Sequence, residues 1–245
     1  MRVKIGTYNI QHGKKYSRFL ETGEEKIDLL GVADVIRDAG VTICGLNEVR
    51  NQETVPGLCN QVKVIAEALG YHYVFAKAID LRNGGVYGNA LVSKYPILHW
   101  RTVPIAVPEA ERVERKHKYE NRVLLIAEIE VEGRMLTVLI CHFGLNPDEI
   151  DEAVETIRRE LSALETPIVL MGDFNLTPDT DSYTQLASLL RDTAREPERP
   201  LTFPSDKPDR KIDYVFVSKD VISSDVCVPA ILQSDHRPYF LQIDF

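Results

Sequence analysis

The stretch Pro167–Asn175 has the sequence PIVLMGDFN and is the most informative segment of the 245-residue chain. Its apolar first half predicts a buried strand over Pro167–Met171. The strand runs directly into Gly172, Asp173 and Asn175, which are turn-forming or polar residues. An acidic residue after one strand usually caps a helix or forms a turn, so this segment gains meaning only if other strands end in the same way.

Other strand-like segments also meet residues too polar for a core at one end. Along the chain, these residues are Asn9, Asn47-Glu48, His142, Asp213 and Ser234-Asp235-His236. Turn chemistry alone does not account for so many Asn, Asp, Glu and His residues in comparable places. Side chains at neighbouring strand ends can converge on one cleft, where sheet proteins commonly bind ligands. We therefore predict a single site built from these strand ends.

The order of the predicted elements indicates a layered fold. Helices are predicted over Lys26–Asp38 and Leu58–Leu69, each ended by a glycine, and a later helix begins at Asn146-Pro147. The chain as a whole runs βαβα, a strand-rich middle, βαβα and closing strands, among them Val226–Ile231. This order predicts one α/β (α+β) domain over residues 1–245, a four-layer sandwich of two packed mixed β-sheets flanked by helices.

Two long connections lie between these elements. Residues 193–211 contain four prolines, which predicts a loop. The segment Glu109–Glu120 contains four basic and four acidic residues, so its charge is balanced. A solvated loop is the default interpretation of this segment, and a lid that faces the substrate is the alternative.

Composition narrows the class of protein. The net charge of -8 argues against a protein that grips long duplex DNA, because such proteins usually show a basic face. No run of about 18 apolar residues occurs, so no membrane span is predicted. The four cysteines form no CxxC pair, and Cys44, Cys141 and Cys227 lie in apolar runs. This pattern predicts buried reduced thiols and a cytoplasmic protein.

The residue types at the strand ends indicate metal chemistry. Carboxylate oxygens come from Glu48, Asp173 and Asp235, and amide oxygens from Asn9 and Asn175. Such oxygen ligands suit Mg²⁺ or Mn²⁺, whereas a zinc site would need more His or Cys. The two histidines of the set can carry protons or stabilise charge. The sequence contains neither a GxSxG elbow nor a GxxxxGK[ST] loop.

Six short motifs occur in order along nearly the whole chain. They are Thr7-Tyr8-Asn9-Ile10, Leu46-Asn47-Glu48-Val49, Gly88-Asn89-Ala90-Leu91-Val92-Ser93, Met171-Gly172-Asp173-Phe174-Asn175, Ile212-Asp213-Tyr214-Val215 and Ser234-Asp235-His236-Arg237-Pro238. Together they closely resemble the motifs of the endonuclease/exonuclease/phosphatase superfamily, and GDFN with a later SDHRP is a strong joint signal. The resemblance implies a two-sheet sandwich flanked by helices. Members of the superfamily include DNA nucleases, sphingomyelinases, inositol-phosphate phosphatases and deadenylases.

The resemblance also implies roles at the metal and water positions. Glu48 would be the main metal ligand, with Asn9 beside it. Asp173 would orient or deprotonate the attacking water, and Asn175 would hold the phosphate or that water. Asp235 would complete the metal or water network.

The histidines take the remaining implied roles. His236 would contact the scissile phosphate, with Asp213 as its orienting carboxylate. His142 matches the position where most members have His and the abasic-site endonucleases have Tyr. The resemblance therefore implies attack of water on phosphorus, with a metal and histidine neutralising the charge that builds on the phosphoryl oxygens.

Two positions leave alternatives open, and a third departs from the pattern of the superfamily. Asn89 is either a phosphate-binding or structural residue of the site, or a turn residue before a strand. Arg122 is either a phosphate contact or a charge on an edge strand. Asn47 stands where the superfamily usually has Gln, and we assign it no role because the following glutamate is the ligand.

Three functions are considered on these grounds. The first is a Mg²⁺- or Mn²⁺-dependent hydrolase of phosphodiester or phosphomonoester bonds in a small molecule or lipid head group. It is favoured by the short chain, the acidic balance, His142 and the lack of basic or aromatic insertions. The second is a DNA endonuclease or exonuclease of the repair or degradative type. The third is a degenerate binding domain, which would have lost at least one catalytic residue, whereas none is missing here.

Overall fold

The computed structural model describes residues 2–54, 58–82, 84–108, 117–165, 167–194 and 200–245. Twelve strands form within these ranges: β1 (Arg2–Asn9), β2 (Ile43–Asn51), β3 (His72–Asp80), β4 (Val86–Ser93), β5 (Ile97–Ile105), β6 (Arg122–Val131), β7 (Arg134–His142), β8 (Ile168–Asp173), β9 (Arg191–Asp192), β10 (Asp213–Val217), β11 (Ile222–Cys227) and β12 (Tyr239–Asp244). The α-helices of the same ranges are α1 (Tyr16–Thr22), α2 (Leu29–Asp38), α3 (Gln61–Leu69), α4 (Pro147–Leu161) and α5 (Asp181–Leu189).

The strands form two six-stranded mixed sheets. The first has the order β11-β12-β1-β2-β4-β3, and the second has the order β5-β6-β7-β8-β10-β9. Within each sheet one central pair is parallel, β1 with β2 and β7 with β8, and the remaining pairs are antiparallel. Helices α2 and α3 cover the outer face of the first sheet, and α4 and α5 cover that of the second. The predicted four-layer sandwich is confirmed.

The central strands are apolar on both faces because each face meets another layer. In β7, Val138 and Ile140 point into the core between the sheets, whereas Leu139 and Cys141 point towards α4. Burial on both faces removes the usual alternation of polar and apolar residues, which explains the unbroken apolar runs of the sequence. All four of these side chains are fully buried.

The register of the central strands brings their polar ends together. Asn9 of β1 lies opposite Asn47 of β2. In the second sheet, His142 of β7 lies opposite Asp173 of β8, and Asp173 lies opposite Asp213 of β10. The polar ends therefore meet at one edge of each sheet.

Several predicted bounds of strands and helices are wrong, mainly in elements that bury few apolar side chains. The strand predicted at Val226–Ile231 is observed as β11, and helix α1 was not predicted. Strand β11 is a largely exposed edge strand and α1 buries no residue, so neither has a clear apolar pattern. Two helices begin three residues later than predicted because Asp28 and Asn60 cap them.

Two other expectations need correction. Cys44 and Cys141 are buried as predicted, but Cys227 is exposed because it lies in β11. Arg122 begins β6, which lies between β5 and β7, so the edge-strand interpretation is wrong.

Parts of both long connections lie outside the described residues. These parts are 109–116 of the segment Glu109–Glu120 and 195–199 of the loop 193–211. In the described ranges, no helix is both long and apolar enough to cross a membrane.

Candidate active site

The strand ends surround a pocket of about 340 Å³. Its walls are formed by Glu48, Tyr87, Glu120, Arg122, His142, Leu145, Asp173, Asn175, Phe203, Arg210, Ile212, Asp235 and His236. Seven of the ten predicted site residues are among them. The other three, Asn9, Asn89 and Asp213, lie behind the walls. Asn9 contacts the wall residue Glu48, and Asp213 contacts the wall residue His236. Asn89 contacts Asn47, which also lies behind the wall. The prediction of one convergent site is consistent with this arrangement.

A bulge in β2 directs Glu48 into the pocket. The register between β2 and β4 shifts between Leu46 and Val49, and Glu48 has a left-handed φ of 60°. A left-handed conformation costs a residue with a side chain about 1–2 kcal/mol. Bulges re-aim side chains beside active sites, and backbone strain concentrates at functional sites. Here the bulge buries Asn47 while Glu48 lines the pocket.

Asp173 lies at the centre of the polar network. Its Oδ2 accepts a hydrogen bond from Asn9 Nδ2 at 3.0 Å, and its Oδ1 accepts one from the backbone N–H of Asn175 at 3.0 Å. The Nε2 atoms of His142 and His236 each lie 3.6 Å from Asp173 Oδ2. Asp173 thus faces both histidines at once.

The pair of Asp173 and His236 has strongly shifted pKa values. Burial raises the pKa of Asp173 to about 7, although the charge on His236 opposes the rise. Burial alone would lower the pKa of His236, but the carboxylates of Asp213 and Asp173 outweigh it and raise that pKa to about 10. His236 Nδ1 donates to Asp213 Oδ2 at 2.9 Å. His236 is therefore cationic at neutral pH, and its Nε2–H is directed towards Asp173.

His142 has the opposite protonation state. Burial and the positive charges of Arg122 and His236 lower its pKa well below the usual value. Arg122 Nη1 lies 3.2 Å from His142 Nδ1, and a guanidinium can only donate, so Nδ1 accepts and the proton is on Nε2. A neutral histidine with an Nε2–H donor thus lies beside a cationic one, and pairs with separated pKa values are typical of acid–base sites.

Asn9 supports two carboxylates of the site through its amide nitrogen. Its Oδ1 accepts the backbone N–H of Gln11 at 3.0 Å, which fixes the orientation of the amide. Its Nδ2 therefore faces the acids and donates to Glu48 Oε1 at 3.2 Å as well as to Asp173. The Oδ1 keeps a second lone pair beside this hydrogen bond, so the assignment of Asn9 to the metal site stays a prediction.

Glu48 and Asp235 form a donor set that fits a hard divalent cation. Both carboxylates line the pocket. Burial raises the pKa of Asp235, the charge on His236 opposes the rise, and the nearby Glu48 adds to it. Gln11 Nε2 holds Asp235 Oδ2 at 2.7 Å. Two carboxylates that face one cavity provide the oxygen ligands that Mg²⁺ or Mn²⁺ prefers. Asp173, Asp213 and His236 also lie together, with ligand atoms within 4.8 Å of one another.

The remaining predicted residues differ in position. Asn175 has a left-handed φ of 48°, lines the pocket, and donates from Nδ2 to Phe143 O at 3.1 Å. Arg122 also lines the pocket, as a phosphate contact requires. Asn89 is buried behind the pocket wall. Its Oδ1 accepts a hydrogen bond from Asn47, and its Nδ2 donates one to the backbone carbonyl of Val123. This arrangement favours the structural interpretation of Asn89, and its assignment to substrate binding stays a prediction.

The structure adds pocket residues that the sequence did not indicate. Burial and the charge on Glu48 raise the pKa of Tyr87, so its phenol stays protonated and hydrogen-bonds to that carboxylate. The Phe203 ring lies 4.7 Å from the His236 ring, and the Arg210 guanidinium lies 4.8 Å over Phe203. Tyr87 immediately precedes the matched GNALVS motif, which was its one available signal. Phe203 and Arg210 lie in the proline-rich connection, where no periodic pattern exists.

Comparison with known proteins gives a consistent result. The model of the Endonuclease/Exonuclease/phosphatase family matches residues 6–236. The uncharacterized protein YbhP of Escherichia coli (strain K12) is 23% identical over 98% of this chain and 95% of its own length.

Two solved structures illustrate the likeness of fold. An endonuclease/exonuclease/phosphatase from Beutenbergia cavernae DSM 12333 has a TM-score of 0.78 and 23% identity, covering 100% of this chain and 72% of that one. The mannosyl-6-phosphatase of Bacteroides thetaiotaomicron VPI-5482 has a TM-score of 0.79 and 17% identity, covering 99% of this chain and 100% of that one. At these identities the likeness shows a shared fold.

Proposed function

Because the chain belongs to the endonuclease/exonuclease/phosphatase family, we propose that it is a Mg²⁺- or Mn²⁺-dependent hydrolase of phosphodiester or phosphomonoester bonds. One observation carries the proposal. Cationic His236 and neutral His142 face Asp173 in the same pocket as the carboxylates of Glu48 and Asp235. We propose further that residues 1–245 act as one catalytic domain.

The proposed reaction begins with a water molecule between Asp173 and the phosphorus. Asp173 accepts a proton from this water while the water oxygen forms a bond to phosphorus. The raised pKa of Asp173 suits this task, because a general base works best when its pKa lies near the working pH. The bond from phosphorus to the leaving oxygen then breaks, and that oxygen takes a proton from solvent.

The other side chains stabilise the negative charge on the phosphoryl oxygens. Donors in the pocket wall include the Nε2–H groups of His236 and His142 and the guanidinium of Arg122. Asp213 holds His236 in its cationic form. A divalent cation bound by Glu48 and Asp235 would supply further charge neutralisation and would acidify the attacking water.

The dimensions of the pocket favour a small phosphoester. A volume of about 340 Å³ is near the lower limit of small-molecule sites, which are roughly 300–1,000 Å³. Leu145 and Phe203 give the wall an apolar part beside the charged groups, which suits a small molecule or a lipid head group. A sugar phosphate is the substrate class suggested by the mannosyl-6-phosphatase that shares the fold.

DNA cleavage is the second candidate. Arg122 and Arg210 line the pocket, where they would contact phosphates next to the one that is cleaved. The net charge of -8 favours the small substrate over DNA. We propose a cytoplasmic location, because the chain's four cysteines are all free thiols.

The proposal is tested with bis-p-nitrophenyl phosphate as a generic phosphodiester and p-nitrophenyl phosphate as a monoester. Hydrolysis should appear with Mg²⁺ or Mn²⁺ and disappear with EDTA. A panel of sugar phosphates, inositol phosphates, sphingomyelin, plasmid DNA and abasic duplex then identifies the substrate class. Cleavage of the DNA substrates alone would replace the first candidate by the second. Absence of metal-dependent hydrolysis on every substrate would overturn the proposal.

A further inference from the structure

We infer that Asn47 and Asn89 form an asparagine clasp between the two sheets, and that this clasp sets the position of Glu48 relative to Asp173. Both asparagines are buried, with 0% and 2% of their surfaces exposed, and neither lines the pocket. They are therefore positioning residues. The inference rests on the proposed function, which assigns Glu48 and Asp173 to the reaction.

The Asn47 side chain contacts both sheets through short hydrogen bonds. Its Nδ2 donates to Asn89 Oδ1 at 2.9 Å in β4 of the first sheet, and to Cys141 O at 3.1 Å in β7 of the second. Its Oδ1 accepts the backbone N–H of Asp173 at 2.9 Å in β8. Each hydrogen-bonding group of the amide has a partner. One side chain thus joins the bulge of β2 to the ends of β7 and β8.

Asn89 fixes the orientation of the Asn47 amide. Asn89 Nδ2 donates to Val123 O at 2.9 Å, and a backbone carbonyl can only accept. The Oδ1 of Asn89 must therefore accept the hydrogen bond between the two asparagines, and the Nδ2 of Asn47 must donate it. The Oδ1 of Asn47 is left to face Asp173. The direction of every hydrogen bond in this series follows from the Val123 carbonyl at one end and the Asp173 N–H at the other.

The site needs such a clasp because its two halves belong to different sheets. The core between the sheets is apolar, and apolar contacts are not directional, so they allow small relative shifts. Glu48 follows Asn47 directly and has a left-handed backbone, while Asp173 donates its own N–H to Asn47. A displacement of about 1 Å can cost about 100-fold in rate. Directional bonds from a single side chain oppose that displacement.

The test uses Asn47→Ala, Asn89→Ala and the double variant, with Asn60→Ala as the matched control. Asn60 is also a buried asparagine, but it caps α3 and contacts neither the clasp nor the pocket wall. Loss of a cap costs about 1 kcal/mol, so the control reports the effect of a general loss of stability. Asn89→Ala changes neither Asn47 nor Asp173 chemically and removes only the group that orients the Asn47 amide, so it carries the test if Asn47→Ala folds poorly.

The first measurement is hydrogen exchange of the Asp173 backbone amide, which needs no activity. Exchange should accelerate in both clasp variants, because the N–H loses its acceptor or that acceptor loses its orientation. The amide of Leu170, earlier in β8, should keep the exchange rate of the wild type. Asn60→Ala should change neither amide selectively.

The second measurement is Mn²⁺ affinity by titration calorimetry together with kcat and KM. Each clasp variant should weaken Mn²⁺ binding and lower kcat by about 10- to 100-fold, the usual effect of losing a supporting hydrogen bond at a metal site. KM should change little, because the substrate contacts in the pocket wall are retained. The double variant should be no worse than the worse single variant, because the two residues act as one unit.

The inference is overturned if Asp173 exchange and Mn²⁺ affinity in the clasp variants match those of Asn60→Ala. It is also overturned if the effects of the two single variants on Mn²⁺ affinity simply add. If the wild type hydrolyses no phosphoester, the proposed function fails, but the exchange result still decides whether the clasp holds Asp173.

Discussion

The pair of Asp213 and His236 offers the sharpest single perturbation. Asp213→Asn keeps the shape of the side chain but removes its charge and changes its hydrogen-bonding capacity. Both groups are buried, with 1% and 6% of their side chains exposed, so solvent does not screen the loss. We expect the variant to fold and to lose most of its activity.

The expected loss follows from the contact itself. His236 Nδ1 donates to Asp213 Oδ2 at 2.9 Å, and a hydrogen bond of this charged type is worth about 1.5–3 kcal/mol. Since each 1.4 kcal/mol is about tenfold in rate, kcat should fall by about 10- to 150-fold. The variant also loses a group that raises the pKa of His236, so burial lowers that pKa from about 10. The active cationic form exists below the pKa, and activity should therefore be lost at lower pH than in the wild type.

The assay is the pH profile of kcat/KM on bis-p-nitrophenyl phosphate with saturating Mg²⁺. Asp225→Asn serves as the control, because it removes one negative charge from the exposed strand β11. Thermal unfolding of each variant establishes that it is folded. A folded Asp213→Asn variant with the rate and alkaline limb of the wild type would show that Asp213 does not hold His236 in its active cationic form.

Three further outcomes are expected. Tyr87→Phe removes the hydroxyl that hydrogen-bonds to the Glu48 carboxylate, so kcat should fall by about 10- to 150-fold in steady-state assays. An unchanged kcat would count against this contact. Glu48→Gln should raise the Mg²⁺ concentration needed for half-maximal activity by more than about tenfold, because a direct ligand loses its charge. An unchanged Mg²⁺ requirement would show that Glu48 is not a metal ligand. In the native protein a thiol reagent should label Cys227 but neither Cys44 nor Cys141. Burial shields the last two thiols and raises the pKa of both. Peptide mass spectrometry measures the labelling, and a labelled Cys44 or Cys141 in the folded protein would contradict this prediction.

The convergence of strand ends was predictable because its signal is local. A polar residue at the end of an apolar run is visible in the sequence at Asn9, His142 and Asp173. Parallel pairing within each sheet then places such ends side by side, as the register of Asn9 with Asn47 and of His142 with Asp173 shows. The layered fold follows from the same runs, since they are apolar on both faces.

The contacts that cross between the sheets were not predictable in this way. Asn47 was given no role from the sequence, yet it bonds to Asp173, which is 126 residues away, and to Cys141, which is 94 residues away. Those partners exist only after the sheets pack. The same holds for the partners of Asn89, whose position before an apolar run left a phosphate contact, a structural role in the site and a turn all open. Its amide is enclosed by Asn47 and Val123.

Errors in the secondary structure have a different cause. Strand β11 and helix α1 bury little, so their sequences carry no periodic apolar pattern. The sequence does not distinguish Tyr87, because a tyrosine is an ordinary strand residue. Its function becomes visible only when the bulge of β2 brings Glu48 to its hydroxyl.

The proposed function is hydrolysis of phosphoesters in this pocket with a divalent metal, Asp173 and His236. Its most direct test compares the wild type with Asp173→Asn and His236→Ala on bis-p-nitrophenyl phosphate, each with and without Mg²⁺. The wild type should require the metal, and both folded variants should be slower by at least about 100-fold. Equal rates in all three proteins, independent of Mg²⁺, would contradict the proposed function.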